Sequence, residues 1–266
     1  MNIFKFELKT YLKSIIIWTV AVPGFLVLYM AFFPAIASSS EAFNELMLSF
    51  PKEFLAVLGM NPELPVTSAL GYFGLTYSFV IIPVAIQASN YGFHMLSVEE
   101  RELTADFLLT KPVKRSKILF SKFFAVLIAL AIVNIGIWGA TIFSLEVFSA
   151  VDVDMTNVYL LLSTLGIFQL FFVSIGMLIS VLLKKISSVL SFSMALGIGM
   201  YVIQALNAML GIRIFAYITP YAHFDYAKIL IEGELDISLA LTSVIVIIVS
   251  FAATYYLYNK RNISSL

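Results

Sequence analysis

Cysteine is absent from the 266 residues, and with it go a disulfide framework, a thiolate metal site and a cysteine nucleophile. Charge is scarce as well: charged residues make up 12% of the chain and the hydrophobic set 61%, where a soluble domain carries about a quarter charged and half apolar. That balance names lipid as the solvent. The formal net charge is +0, so no global basic field argues for nucleic acid and none for an acidic substrate. A G-x-x-x-x-G-K-[ST] loop is missing too, so the chain has no usual cradle for a nucleotide's phosphates. It is expected to be no enzyme and to hold no cofactor.

What is present is apolar length. A spanning helix needs about 20 mostly apolar residues, and six such runs lie near 15–37, 71–93, 118–145, 157–182, 188–210 and 237–258. The fold class is therefore all-α, a single polytopic membrane domain over residues 1–266. Pro23-Gly24 and Pro83 predict kinks in the first two spans. The first run is about twice the length of a signal-peptide core, which favours an uncleaved span although Ala35-Ile36-Ala37 mimics a cleavage site.

Basic residues set the orientation. With a cytoplasmic N-terminus the inner segments hold Lys5, Lys9, Lys13, Arg101, Lys111, Lys114, Arg115, Lys117, Lys122, Lys184, Lys185, Lys260 and Arg261, leaving only Lys52, Arg213 and Lys228 outside. The outer loops are acidic, from Glu41 and Glu45 to Glu234 and Asp236. Both termini are thus expected in the cytoplasm. His94 and His223, the only histidines, then lie on opposite sides and share no metal; no H-E-x-x-H occurs. His94 is read as capping the inner end of the second span and His223 as part of an aromatic interfacial belt with Tyr221, Phe224 and Tyr226.

Three segments outside the spans stand out. Residues 3–13 place Ile3, Phe4, Leu8, Tyr11 and Leu12 near one face and Lys5, Lys9 and Lys13 near the other, as an interfacial amphipathic helix or a topology-setting flank would. The first outer loop, EAFNELMLSFPKEFLAVLGM (41–60), repeats apolar residues at helical spacing around Pro51 and reads as one or two short helices. The cytoplasmic stretch SVEERELTADFLLTKPVKRSKILFSK (97–122) begins with Glu99, Glu100, Glu102 and Asp106 and ends with Lys111, Lys114, Arg115 and Lys117, complementing a helix dipole. Leu103, Phe107 and Leu108 form an apolar stripe and Pro112 stops the helix. Such a segment suits docking into a groove on a cytoplasmic partner, or serves as a solvated loop obeying the positive-inside rule.

This combination resembles the permease subunit of ABC-2-type ATP-binding-cassette exporters. The resemblance rests on Glu99-Glu100-Arg101-Glu102, Thr104, Leu108-Leu109, Pro112, Arg115 and Lys122, with Leu103 where that family usually has glycine, and on FPKEFLAVLGM (50–60) and YITPYAHFDYAKIL (217–230). It implies a half-transporter in a bacterial plasma membrane, pairing with a second copy or a related permease and with two copies of a separate ABC ATPase that binds ATP and Mg. The N-terminal helix and a coupling helix at 97–117 would contact that ATPase. Coupling then falls on Glu99, Glu100, Arg101, Glu102, Leu103, Thr104, Asp106, Phe107, Leu108, Pro112 and Arg115. Amphipathic peptides of the phenol-soluble-modulin or antimicrobial type are among the cargoes the resemblance implies.

Inside the spans, Gln87, Asn90, Asn134, Gln169, Gln204 and Asn207 should face protein or a cavity rather than lipid, either bonding between helices or lining a pathway. Ser187, Ser191, Ala195 and Gly199 recur every four residues along span five, and Gly136, Ala140 and Ser144 do so on span three, allowing close helix approach. Span five is expected at a helix interface, either the dimer seam with span one or packing within one subunit. No ionisable residue sits near a span's centre, which weakens an alternative stand-alone secondary transporter or channel; a non-transporting scaffold is the third reading. An aromatic and methionine-rich interior (Phe 24, Tyr 13, Met 10) suits lipid-like or amphipathic cargo.

Overall fold

The computed structural model describes residues 3–51, 54–55, 60–61, 63–102, 113–149, 151–183 and 185–260. Apolar composition and well-placed caps make these residues helical. In chain order the elements are α1 (Ile3–Met30), α2 (Phe33–Ser38), α3 (Ser40–Leu48), α4 (Ala69–Arg101), α5 (Arg115–Phe148), α6 (Thr156–Leu182), α7 (Val189–Leu210), α8 (Arg213–Ile218), α9 (Pro220–His223), α10 (Tyr226–Glu232) and α11 (Ile237–Lys260). No strand forms among the described residues. Among the described residues six helices, α1 with its continuation through α2, then α4, α5, α6, α7 and α11, are long and apolar enough to cross a membrane.

Side chains satisfy the orphan backbone groups at several ends. Ser68 accepts from the Gly71 N–H at 3.1 Å to start α4, and Ser188 accepts from Ser191 N–H at 3.3 Å to start α7. Gly211 (φ 65°) closes α7 and Gly233 (φ 69°) closes α10, both in the left-handed region where a side chain is disfavoured. Residues 3–13 run unbroken into the first span as α1, so the amphipathic stretch is the opening of a longer helix rather than a separate one. Both Pro23 and Pro83 lie inside helices that continue past them.

The inner pair of the bundle is α4 and α6. Helix α1 packs chiefly on α5, α7 on α4, and α11 on α6. At the α4/α6 crossing a Cβ on Gly92 would come within 2.4 Å of the Val173 carbonyl oxygen, and one on Gly176 within 3.1 Å of the Ser89 oxygen. The two glycines let the backbones meet, as small residues do between membrane helices. Outward faces carry Ile16, Val20, Leu28, Ile135, Leu190, Ile245 and Ile248, a surface made for acyl chains.

The connection between α7 and α11 departs from a surface loop. Thr219 Oγ1 donates to the Met200 carbonyl at 2.9 Å and Tyr221 Oη to the Gly197 carbonyl at 3.2 Å. Gly197 lies 13 residues before the end of α7 at Leu210, a drop of roughly 20 Å at the helical rise. The chain therefore dips back into the bundle before α10. His223 is buried at its base, 2.6 Å from Ser243 Oγ, with its ring edge-on to Phe171 at 6.0 Å. The expected interfacial belt is thus an internal aromatic cluster. Non-helical backbone is tolerated at such depth because it is enclosed by protein and bonded to it.

Candidate functional site

Two constellations stand apart from the apolar packing, one at each end of the bundle. At the end where α1 begins and α11 finishes, α5 carries Lys122 two turns in, fully buried. Its ammonium donates to the Met95 carbonyl at 2.8 Å and to Glu99 Oε1, and Glu7 Oε1 stands 3.8 Å away. An ammonium has three donors and no acceptor, and here it faces three acceptors. Glu99 comes from the last turns of α4, Glu7 from α1 and Lys122 from α5. One buried cation thus joins three helices, in a setting where losing any partner strands a charge.

An aromatic stack lies beneath this triad. Tyr11 of α1 meets Tyr91 (5.2 Å between ring centres) and His94 (5.8 Å) edge-on, and Ser14 Oγ lies 3.1 Å from Tyr91 Oη. His94 does not cap a helix end: it sits inside α4 with Arg101 Nη2 3.4 Å from its Nδ1. Arg115, at the start of α5, donates from Nη1 to the Tyr258 carbonyl of α11 at 3.2 Å.

Of the residues expected in the coupling segment, Glu99, Arg101 and Glu102 close α4, where the Glu102 N–H donates to the Val98 carbonyl at 2.9 Å; Arg101 and Glu102 are exposed. Arg115 opens α5. The Glu100 side chain and Leu103, Thr104, Asp106, Phe107, Leu108 and Pro112 lie outside the described residues, so a helix at 97–117 is described only at its two ends.

The amides divide. Asn134 Nδ2 donates to Gln169 Oε1 at 2.8 Å, bonding α5 to α6. Gln87 is wholly buried in α4 and neither end of its amide has a partner of good geometry. Asn90 and Asn207 are half-buried. Gln204 opens on a cavity. Ser187, just before α7, and Ser191 and Ala195 on it are exposed, and nothing lies within 4 Å of a Cβ built on Gly199. That ridge faces outward; Val189, Ser193 and Gly197 make the inward face instead. The ridge on α5 is internal: a Cβ on Gly136 would meet Thr19 at 3.1 Å and Pro23 at 3.2 Å of α1.

At the far end is a cavity of about 260 Å³ between α4, α6, α7 and the dipping segment. Tyr77, Tyr201, Tyr221, Tyr226, Gln204 and Asp225 contribute to its walls. Asp225 caps α10, its Oδ1 accepting from Ala227 N–H at 2.9 Å and Lys228 N–H at 3.2 Å. Burial pushes its carboxyl above the ordinary carboxylate range, against the opposing pull of those N–H groups and of Lys228.

Glu7, Tyr11 and, apart from Gln204, the cavity wall are not among the residues expected at a site from the sequence. Glu7 is the lone acid in a basic flank, a signal in hindsight; Tyr221, Asp225 and Tyr226 belong to the YITPYAHFDYAKIL stretch already singled out.

Among the described residues, six apolar helices around a polar hub, with a half-open cavity opposite, define a multi-pass α-helical membrane protein. The family model described as ABC-2 family transporter protein matches residues 1–263, and the chain belongs to that family. It is accordingly a membrane-spanning transporter component of an ABC system rather than the ATPase itself, and the family implies an ABC ATPase partner. No curated protein and no solved structure gives a match.

Proposed function

We propose that the chain is the membrane half of an ATP-driven exporter in a bacterial plasma membrane, with both termini cytoplasmic. Two copies, or one copy with a related permease, pair with two ATPase subunits that hold ATP and Mg. The segment after α4 receives the motion of the ATPase. The observation that carries this reading is the buried triad: Glu99, at the base of that segment, is bonded to Lys122 of α5 and lies in one cluster with Glu7 of α1. A push on the end of α4 is then shared with two further helices as a rigid-body shift instead of being absorbed locally. The outward small-residue ridge on α7 supports a seam with a second copy. A mostly uncharged, aromatic interior supports amphipathic or hydrophobic cargo, including peptides of the phenol-soluble-modulin or antimicrobial type.

The test is reconstitution with the ATPase subunit. Glu7→Gln and Glu99→Gln together with Lys122→Met remove the charges of the triad while keeping side-chain volume. The expected outcome is a complex that still assembles and hydrolyses ATP but moves roughly tenfold less cargo per ATP, as loss of one coupling contribution would give. Unchanged transport per ATP would remove the triad from coupling, and cargo flux from the permease alone without nucleotide would replace the whole reading with a secondary transporter.

A further inference from the structure

The far cavity has a chemistry of its own. Its wall carries the rings of Tyr77, Tyr201, Tyr221 and Tyr226, together with Asp225 and Gln204. Gln204 Oε1 is buried and has no hydrogen-bond partner, which is costly for an amide oxygen unless a donor arrives. Asp225 uses Oδ1 to cap α10. Lys228, three residues along the chain from Asp225, is partly exposed, with Nζ 3.9 Å from Glu232 and 4.0 Å from Asp236. The site therefore holds tyrosine rings, a carboxyl group and, beside them, an unpaired acceptor, with Lys228 shared among other acids.

We propose that this cavity binds a protonated primary amine borne on an apolar chain, the ammonium donating to Asp225 and Gln204 and lying against the tyrosine faces. A hydroxyl or neutral amide would satisfy Gln204 but would bring no positive charge to the buried Asp225 carboxyl. A quaternary ammonium would suit the rings but has no N–H for Gln204. Cation–π attraction grows as the cation is desolvated. A volume of about 260 Å³ lies just below the range of drug-sized sites, which fits a head group with the first part of its chain. Burial already holds the Asp225 carboxyl toward its neutral form, so an arriving cation restores the ionised form and gains a charge-assisted bond. A lysine side chain and an ethanolamine lipid head group share this chemistry.

Binding here requires no ATPase, so the proposal and the coupling mechanism fail separately. The full chain in phosphatidylcholine nanodiscs is titrated calorimetrically with n-hexylammonium and, in parallel, with n-hexanol. The expected result is saturable binding of the amine, at least roughly tenfold tighter than the alcohol, and a comparable loss in Asp225→Asn. Asparagine keeps the capping oxygen, so α10 is retained and the circular dichroism spectrum should not change. Gln204→Leu should weaken the amine and spare the alcohol. Equal binding of amine and alcohol, no saturable binding of the amine, or full affinity in Asp225→Asn would each overturn the proposal. Competition by Nα-acetyl-lysine methylamide in these discs assigns a soluble or peptide amine as occupant; weaker apparent hexylammonium binding in discs containing phosphatidylethanolamine assigns the lipid.

Discussion

Lys122 shows how much one side chain organises. The side chain is wholly buried and its ammonium is matched by Met95, Glu99 and Glu7. Desolvating such a group is tolerable only while those partners hold, and removing one side of a buried pair typically costs about 3–5 kcal/mol. Lys122→Met should therefore lower stability by about that amount in a detergent melt, because it leaves two carboxylates facing each other. The triple variant with Glu7→Gln and Glu99→Gln should recover most of the loss, since an uncharged set of similar volume carries no stranded ion. A triple variant no more stable than the single one would mean the lysine acts through packing alone. Little of this triad was legible in sequence. Lys122 and Glu99 stood out by position, but Glu7 hid among Lys5, Lys9 and Lys13, and nothing local says that α1 crosses α4 and α5 there. His223 misled for a related reason: amid tyrosines, an imidazole at a membrane interface and one in a buried cluster look alike until the backbone path is known.

At the scale of elements, runs of apolar residues disclose helices because the bilayer demands satisfied backbone over a fixed length, and α6, α7 and α11 begin and end where charge and turn residues say. Partner choice between helices is subtler. The α4/α6 crossing depends on Gly92, where a methyl group would press to 2.4 Å from a backbone carbonyl. Neither helix can yield without disturbing its neighbours, so Gly92→Ala should destabilise the chain by about 1–3 kcal/mol. Gly139→Ala is the control: nothing lies within 4 Å of its added carbon, and its melt should match the parent. Equal melts for both variants would mean that the crossing relaxes freely. The dip between α7 and α11 was illegible because its anchors, Thr219 to Met200 and Tyr221 to Gly197, are contacts between distant hydroxyls and helix carbonyls that leave no periodic trace.

For the molecule as a whole, the telling contrast is between two ridges of small residues that read identically along the chain. Gly136, Ala140 and Ser144 are consumed inside the subunit, with Gly136 lying against α1. The α7 ridge, by contrast, faces away from every described helix. A small-residue ridge turned to lipid gains nothing, since acyl chains pack as well on leucine, whereas a second protein surface gains close van der Waals approach. In a two-fold assembly a residue near the axis meets its own copy. Because the native chain has no cysteine, a single substitution reports without background. Ser191→Cys should form a disulfide-linked dimer under mild oxidant in native membranes, while Ile245→Cys on the lipid-facing side of α11 should stay monomeric under the same conditions. If both cross-link to the same extent, collisions in the bilayer explain the product; if only Ile245→Cys does, the seam lies on α11 and the α7 ridge serves another contact.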